Sequence, residues 1–341
     1  MRIAVCSPQV PFERGGAEIL CDELVAQLRE RDHEADLVTI PYKWYPGANV
    51  LAQAFLWRLV DLEEANGRPI DLVIATRFPS YVVKHRRKVV WLIQQFRQAY
   101  ELDRTELGQF DDGSKDRATR RAVHRLDKQT LGEAERLYAT SSNVAKRLAR
   151  ATGHDAQIVR HPPRELPYRC DEFGDFVLSV GRLDLAKRVD LLLNAARDAN
   201  WRVVVAGDGP DRARLEAIAR DLGSSVRIEF AGRVSATALA DLYAQCLAVY
   251  YAPIDEDSGM VPYEAFSSGK PVVTTVDAGG PLEAVENGVN GIVCESSADA
   301  LHNAVDELFK DVARAKTLGE RGKTLVQSMN WDNVVDTLVG S

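Results

Sequence analysis

FVLSVGRLDLAKRVDLLLNAARDANWRVVVAGDGP, residues 176–210, decides the fold. Phe176 to Val180 is a short apolar run bounded by turn residues, the pattern of a buried strand. VDLLLNAARDA then carries apolar side chains at helical spacing, and WRVVVAG returns to the strand pattern. Strand, helix and strand in that order make the unit from which parallel sheets are built. The glycines of GDGP resemble the start of a dinucleotide fingerprint, but Arg212 stands where the third glycine belongs. A tight turn feeding a helix is the better reading, and hydride transfer on a nicotinamide loses ground.

The same rhythm runs outward in both directions. Upstream come RIAVC, GAEILCDELVAQLRERD, EADLVTI, DLVIATR, KVVWLI, RLYATS and NVAKRLARATG; downstream come VRIEFAGRV, SATALADLYAQ, LAVYYAP, PYEAFSSG, KPVVTT, PLEAVENG and GIVCE. Between them RHPPRELPYRCDEFGD holds Pro162, Pro163 and Pro167, which forbid continued helix. The expectation is an α/β chain of two doubly wound, Rossmann-like domains joined by a proline-rich linker. Such domains hold ligands at the carboxyl ends of their strands, with the active site expected in a cleft between them.

Composition sets the outer bounds. A chain of 341 residues with 45% hydrophobic content supports two cores, and 27% charged residues exclude a disordered or collagen-like polymer. The start, MRIAVCSPQVPF, is too briefly apolar for a signal peptide, and no segment reaches the run of about 18 apolar residues that a spanning helix needs. Cys6, Cys21, Cys170, Cys246 and Cys294 are scattered and odd in number, which suits buried thiols in a reducing cytoplasm. Net charge is −7, yet Lys84 to Arg164 carries 18 Lys and Arg against 10 Asp and Glu. That basic island is either a solvated helix face or an attraction to anionic lipid or acidic polymer.

Several residues carry chemistry. Gly181 and Arg182 fall at the carboxyl end of the Phe176–Val180 strand, and Lys187 opens the next helix. Cations converging on a helix start favour phosphate oxygens; surface charge on a loop is the plainer alternative. Gly15 and Gly16, in FERGGAEIL, lie where backbone N–H groups can form an anion nest. Pro262 suits the first turn of a helix that Gly269 ends, which puts Glu264 near its positive pole, and Val261 cannot make the capping box that would explain it structurally. Glu256 sits in the loop before it, with Gly259 keeping the backbone between them accessible. Paired carboxylates suit vicinal hydroxyls. Asp255 and Asp257 can also be read as a metal-binding pair, though Arg182 and Lys187 make an ion unnecessary for phosphate charge.

Together these motifs resemble the GT-B fold retaining glycosyltransferases of family GT4, over nearly the whole length and most strongly from VLSVGRLDLAKRVDLL through YYAPIDEDSGMVPYEAFSSGKPVVTTVDAGGPLEAVENGVNGIV. The resemblance implies a domain 1–164 on the acceptor side, a donor-binding domain 165–325, and a terminal helix, 326–341, crossing back to the first domain with Trp331 as its anchor. It makes Glu256 and Glu264 the family's E-x7-E pair, the first touching the donor sugar and the second the ribose. Arg182 and Lys187 would hold the diphosphate, with Gly181 and the backbone of Gly259, Met260 and Val261 approaching it. Gly15 and Gly16 would face the same diphosphate, and Arg233 and Val234 the base. Lys270-Pro271-Val272-Val273 reads as scaffold behind the helix of Glu264. The chain departs from relatives in two places: Ser258 belongs to a polar Glu-Asp-Ser-Gly loop where an aromatic residue is common, and Gln94 and Gln95 follow VVWLI where many relatives have histidine. Gln94 or Gln95 could still contact sugar or acceptor hydroxyls.

The implied function is hexosyl transfer from a nucleotide diphosphate sugar, a UDP- or GDP-sugar, to an acceptor hydroxyl with retention, in polysaccharide, glycolipid or other glycoconjugate synthesis. Attack comes from the front face, no metal or other cofactor takes part, and Glu256 steadies the sugar without becoming glycosylated. Arg182, Lys187 and Glu256 are the expected catalytic residues. A lipid-linked or polymeric acceptor fits a cytoplasmic protein that touches the inner face of an anionic membrane, and nucleic acid is not an expected partner. A GT-B nucleotide-sugar 2-epimerase and a noncatalytic nucleotide-sugar sensor are the competing readings.

Overall fold

A computed structural model describes residues 1–223 and 226–340. The chain divides into two compact units, Met1–His161 with Asn330–Ser341, and Pro162–Met329.

In the first unit, β1 (Arg2–Gln9), α1 (Gly16–Glu30), β2 (Glu34–Pro41) and α2 (Val50–Leu59) are followed by a two-stranded ribbon, β3 (Glu64–Ala65) and β4 (Arg68–Pro69). Then come β5 (Leu72–Arg77), β6 (Lys88–Gln94), α3 (Ser114–Leu131), β7 (Arg136–Ala139), α4 (Ser142–Thr152) and β8 (Gln157–Ile158). The sheet is parallel, in the order β2-β1-β5-β6-β7-β8. Both its faces are covered, which is why its strands read as nearly continuous apolar runs. Ile3, Val5, Leu72, Ile74, Val89 and Trp91 meet Leu20, Leu24 and Leu28 of α1. On the opposite face Ala4, Cys6, Val73, Ala75, Val90 and Leu92 meet Val50, Ala54 and Trp57 of α2, Val123 and Leu131 of α3, and Leu148 of α4.

The second unit runs β9 (Phe176–Val180), α5 (Val189–Ala195), β10 (Arg202–Ala206), α6 (Arg212–Leu222), β11 (Ile228–Gly232), α7 (Ala236–Gln245), β12 (Ala248–Tyr250), α8 (Val261–Ser267), β13 (Val272–Thr275), β14 (Gly291–Cys294), α9 (Ala298–Lys310) and α10 (Val312–Val326). Its parallel sheet has the order β11-β10-β9-β12-β13-β14. Strand order therefore reverses between β9 and β12, the place where an open α/β sheet leaves a crevice. The sequence predicts helix through Ala199, but α5 stops at Ala195, whose carbonyl accepts a 2.8 Å hydrogen bond from His302 Nδ1 on α9.

The last helix, α11 (Trp331–Val339), belongs to the first unit. It begins later than the segment 326–341 expected for it, because α10 continues to Val326 and the Asn330 side chain caps the new helix through the N–H of Asn333. Trp331 packs edge-on to Trp91 with ring centroids 6.2 Å apart, and Val334, Val335 and Leu338 join the α1 side of the sheet. Arg136 satisfies its open end, donating to the carbonyls of Thr337 and Leu338 at 3.0 and 3.1 Å. Among the described residues no helix is long and apolar enough to cross a membrane.

Asp127 is fully buried in the first unit and accepts hydrogen bonds from the hydroxyls of Tyr81 and Tyr100 at 2.8 and 2.7 Å. Burial pushes its carboxyl up to about 7 despite those donors. The folded state thus holds a proton that the unfolded chain releases near pH 4, so this residue's contribution to stability falls as pH rises from about 4 to about 7. Melting curves across that range should show the slope in the native chain, and Asp127→Asn should flatten it.

Candidate active site

The second unit gathers its polar side chains where the sheet reverses. β9 ends at Val180 and Gly181 turns the chain out with φ 145°. Arg182 follows, exposed, and next to it Asp184, whose side chain accepts from the Lys187 N–H at 3.2 Å and holds a short 3-10 turn, Leu185–Lys187. Lys187 therefore closes that turn ahead of α5, not at the helix start that its spacing predicts. Its Nζ forms an ion pair with Glu256 Oε2 and lies 3.4 Å from the Tyr251 hydroxyl, which itself donates to Glu256 Oε2 at 3.2 Å. Partial burial disfavours the ammonium, but the Glu256 carboxylate outweighs it and holds Lys187 protonated above its ordinary range. Burial likewise pushes the Tyr251 phenol up, with Glu256 adding to the effect. Burial raises the Asp184 carboxyl, opposed by Lys187 and Arg182.

The Glu256 loop is fixed from both sides. Glu256 donates its N–H to Ala278 O and accepts at its own carbonyl from Gly280 N, each at 2.8 Å. The Ile254 N–H reaches Ala186 O at 2.8 Å. Arg188, in the left-handed region with φ 49°, donates to the carbonyls of Ala252 and Pro253, to Thr275 Oγ1 and to both oxygens of Asp277. Its guanidinium holds the Asp277 carboxyl below the usual carboxylate range, against the burial that would raise it. Sequence reasoning missed Arg188, since an arginine after Lys187 looks like one more surface charge. It missed Tyr251 too, although the doubled tyrosine closing LAVYYAP was a signal.

Glycines make this packing possible. A Cβ at Gly207 would lie 1.8 Å from Gly181 O, and one at Gly209 would lie 2.2 Å from Leu183 O, so the turn after β10 lets the Arg182 loop pass against it. Gly259 has φ 85°, and a Cβ there would meet the Tyr251 ring at 2.7 Å.

Glu264 occupies the first turn of α8, with proline at the helix start. It is buried and accepts from the Tyr243 hydroxyl at 2.7 Å, and burial raises its carboxyl. The two carboxylates have different partners, Lys187 and Tyr251 for Glu256 and Tyr243 for Glu264. Ser258 and Val261 are buried, Met260 is half-buried, and Arg233 and Val234 follow β11, the arginine exposed. Lys270 is fully buried with its Nζ 3.9 Å from the centre of the Phe173 ring and bonded to Glu172 O, a structural position. Among the described residues no group of three or more His, Cys, Asp or Glu side chains could hold a metal. A pocket of about 760 Å³ in this unit is lined by Arg188, Asp190, Asn194, Asp299 and His302, on α5, α9 and the turn before α5.

Gly15, Gly16, Gln94 and Gln95 lie in the first unit. Gly15 caps α1, and its N–H already donates to Glu18 Oε2 at 2.8 Å, so a carboxylate of the protein takes part of the anion nest read from the sequence. Glu18 in turn pairs with Arg77, which closes β5 and also donates to Ser7 Oγ at 3.2 Å and Pro8 O at 2.6 Å. Burial favours the neutral Glu18 acid, but Arg77 more than offsets it and lowers the carboxyl's pKa. Gln94 ends β6, and Gln95 is buried with an Nε2 that finds no hydrogen-bond partner among the described residues.

Residues 170–325 match the model of the family glycosyl transferases group 1. An uncharacterized glycosyltransferase of Methanocaldococcus jannaschii is 31% identical over 169 residues, 48% of this chain and 43% of that one. The chain spans less than half the length of the archaeal relatives it matches. Among solved structures, sucrose-phosphate synthase from Thermosynechococcus elongatus superposes with a TM-score of 0.79 at 19% identity, covering 100% of this chain and 98% of its own. Anabaena HepE in complex with UDP-glucose gives 0.73 at 18% identity, covering 100% and 99%. The fold is that of the GT-B glycosyltransferases, with two Rossmann-like halves. The family match covers most of the second unit.

Gly207→Ala should force the Arg182 loop off its seat. The expected loss is about 1–3 kcal/mol of unfolding free energy in urea titrations, from backbone strain alone.

Proposed function

We propose that the protein moves a hexosyl unit from a nucleotide diphosphate sugar to an acceptor hydroxyl, retaining the anomeric configuration. The observation that carries this reading is the clustering of Arg182, Lys187 and Glu256 at the carboxyl ends of β9 and β12, beside the reversal of strand order. The group 1 family match supports it, as does a structural neighbour that holds UDP-glucose. A UDP- or GDP-sugar is the donor class.

In the reaction the bond from the anomeric carbon to the diphosphate oxygen breaks, and its electron pair stays with the phosphate. Arg182 and Lys187 stabilise that charge, and Lys187 does so with little reorganisation because Glu256 and Tyr251 already hold it. Lys187 carries three donors, so it can take a phosphate oxygen while keeping Glu256 and Tyr251. The acceptor oxygen attacks from the face that the diphosphate leaves, and its proton passes to the departing phosphate oxygen. Glu256, oriented by Tyr251 and by two backbone hydrogen bonds, steadies the sugar's hydroxyls. Gly181 and the backbone of Ser258 to Val261 approach the diphosphate, Glu264 takes the ribose, and Arg233 with Val234 borders the base. In the first unit Gly15 and Gly16 are assigned to diphosphate binding, and Gln94 or Gln95, the latter with an orphaned amide, to a sugar or acceptor hydroxyl. No metal is required.

Arg182→Ala and Lys187→Ala should each lower turnover about 10²–10³-fold while leaving the melting temperature close to native. Turnover is measured with UDP- and GDP-sugars, with and without a chelator, and an active Arg182→Ala enzyme would refute the assignment. Proton NMR of the first-formed product should show the donor's anomeric configuration. Inversion, or a covalent sugar trapped on Glu256, would refute the front-face route.

A further inference from the structure

The outer surface of the helical layer formed by α2 and α3 has no role in the chemistry above, and its make-up is unusual. Val50, Ala54 and Trp57 turn α2 toward the sheet. The face left outside is Ala52, Phe55, Leu56 and Leu59, spaced i, i+3, i+4 and i+7, so a whole helix stripe in water is apolar. Leu59 is 80% exposed and Phe55 54%. Just before the helix, Trp44 and Tyr45 are also exposed, with the Lys43 ammonium 4.7 Å from the centre of the Tyr45 ring. From residue 41 to 60 the chain has no acidic side chain.

Helix α3 packs beside α2 on the same face of the sheet and shows the complementary character. Lys115, Arg117, Arg121, Arg125 and Lys128 are all exposed, and none forms an ion pair with a described residue. The four from Arg117 onward lie at i, i+4, i+8 and i+11, one stripe along the helix. Lys146 and Arg150 of α4 add two more exposed cations without ion pairs on the next helix of the layer. Several acidic groups in this region are engaged elsewhere: Asp127 is buried, Asp116 accepts from the Asp111 N–H, and Glu133 pairs with Arg58 and Lys88, while Asp111 and Asp112 stay exposed just before α3.

We propose that this layer docks on an anionic phospholipid bilayer, with Phe55, Leu56, Leu59, Trp44 and Tyr45 entering the interface and the α3 and α4 cations resting on the headgroups. Apolar side chains beside unpaired cations match a surface whose charge is negative outside and whose interior is hydrocarbon. A soluble polyanion would satisfy the cations and leave the apolar stripe in water. A second copy of this chain would bring the same positive charge against itself. Trp and Tyr flanking the stripe suit the boundary, where one end of each ring is wet. The inference stands apart from the sugar-transfer reading, since no residue of the candidate active site takes part.

The test is co-sedimentation of the full chain with vesicles of phosphatidylcholine containing phosphatidylglycerol, at low and at high salt, beside pure phosphatidylcholine vesicles and heparin competition. Binding to the anionic vesicles is expected, weakening as salt rises. Phe55→Ser with Leu59→Ser should reduce partitioning at least about tenfold, because each removes a large apolar side chain that docking would bury in the bilayer interface. Arg121→Glu with Arg125→Glu should reduce it by more than about twentyfold, roughly fivefold for each cation lost. All four side chains are exposed, so native circular dichroism and unchanged melting keep misfolding out of the comparison. Absence of binding to anionic vesicles, equal binding to neutral ones, or binding by the serine variant at the wild-type level with heparin competing would each overturn the proposal. The last outcome would assign the surface to a polyanion. Turnover on a water-soluble acceptor should be unchanged in both variants, so failure here leaves the catalytic reading untouched.

Discussion

The chemistry of the second unit depends on one guanidinium. Arg188 sits in a left-handed backbone conformation immediately after Lys187, and its side chain ties the carbonyls that follow β12 to the end of β13. Strand order reverses between β9 and β12, so the loops leaving these neighbouring strands diverge and a crevice opens between them. A crevice of divergent loops is not rigid by itself. Arg188 supplies the rigidity from beneath, and Glu256 meets Lys187 because both flank the same clamp.

The alternation of strands and helices was legible because parallel sheets buried on both faces demand apolar runs, and residues 176–210 show this plainly. Doubly wound sheets imply a reversal of strand order, but which strands flank it was not legible, since pairing between β9 and β12 joins stretches about seventy residues apart and leaves no local periodicity. Helix α2 escaped notice for a related reason. VLAQAFLWRL is apolar on most of its circumference, so it lacks the polar face by which an amphipathic helix is recognised. At the site, charge and glycine spacing brought out Arg182, Lys187, Glu256 and Gly259. Tyr251, Tyr243 and Arg188 stayed hidden because their work consists of contacts across strands. Spacing gave the two carboxylates but not their partners, a lysine for Glu256 and a tyrosine hydroxyl for Glu264.

Buried charge is handled in two different ways. Lys88 and Lys270 place their ammonium groups among backbone carbonyls, Lys88 on Tyr81, Val83 and Thr130 with Glu133 3.4 Å away, and Lys270 on Glu172, so the charge is met largely by dipoles that the fold supplies anyway. Burial still brings the Lys88 amine down to about 8. Asp127 and Glu264 are instead met by tyrosine hydroxyls, which stabilise the ion less than a cation would and leave both carboxyls raised. Lys187 and Glu256, partly open to solvent, are paired with each other. The only one of these arrangements able to admit an outside anion is the last.

The terminal helix has a bearing on how the molecule can be cut. Because α11 supplies Trp331, Val334, Val335 and Leu338 to the apolar face that also holds Trp91 and Leu24, the first unit is assembled from two separate pieces of chain. A stop codon anywhere before Asn330 removes these side chains and leaves α1 alone to cover that face. The middle segment is contiguous and carries no such debt, so domain exchange between relatives has a natural currency in residues 162–329 and none in the amino-terminal half alone.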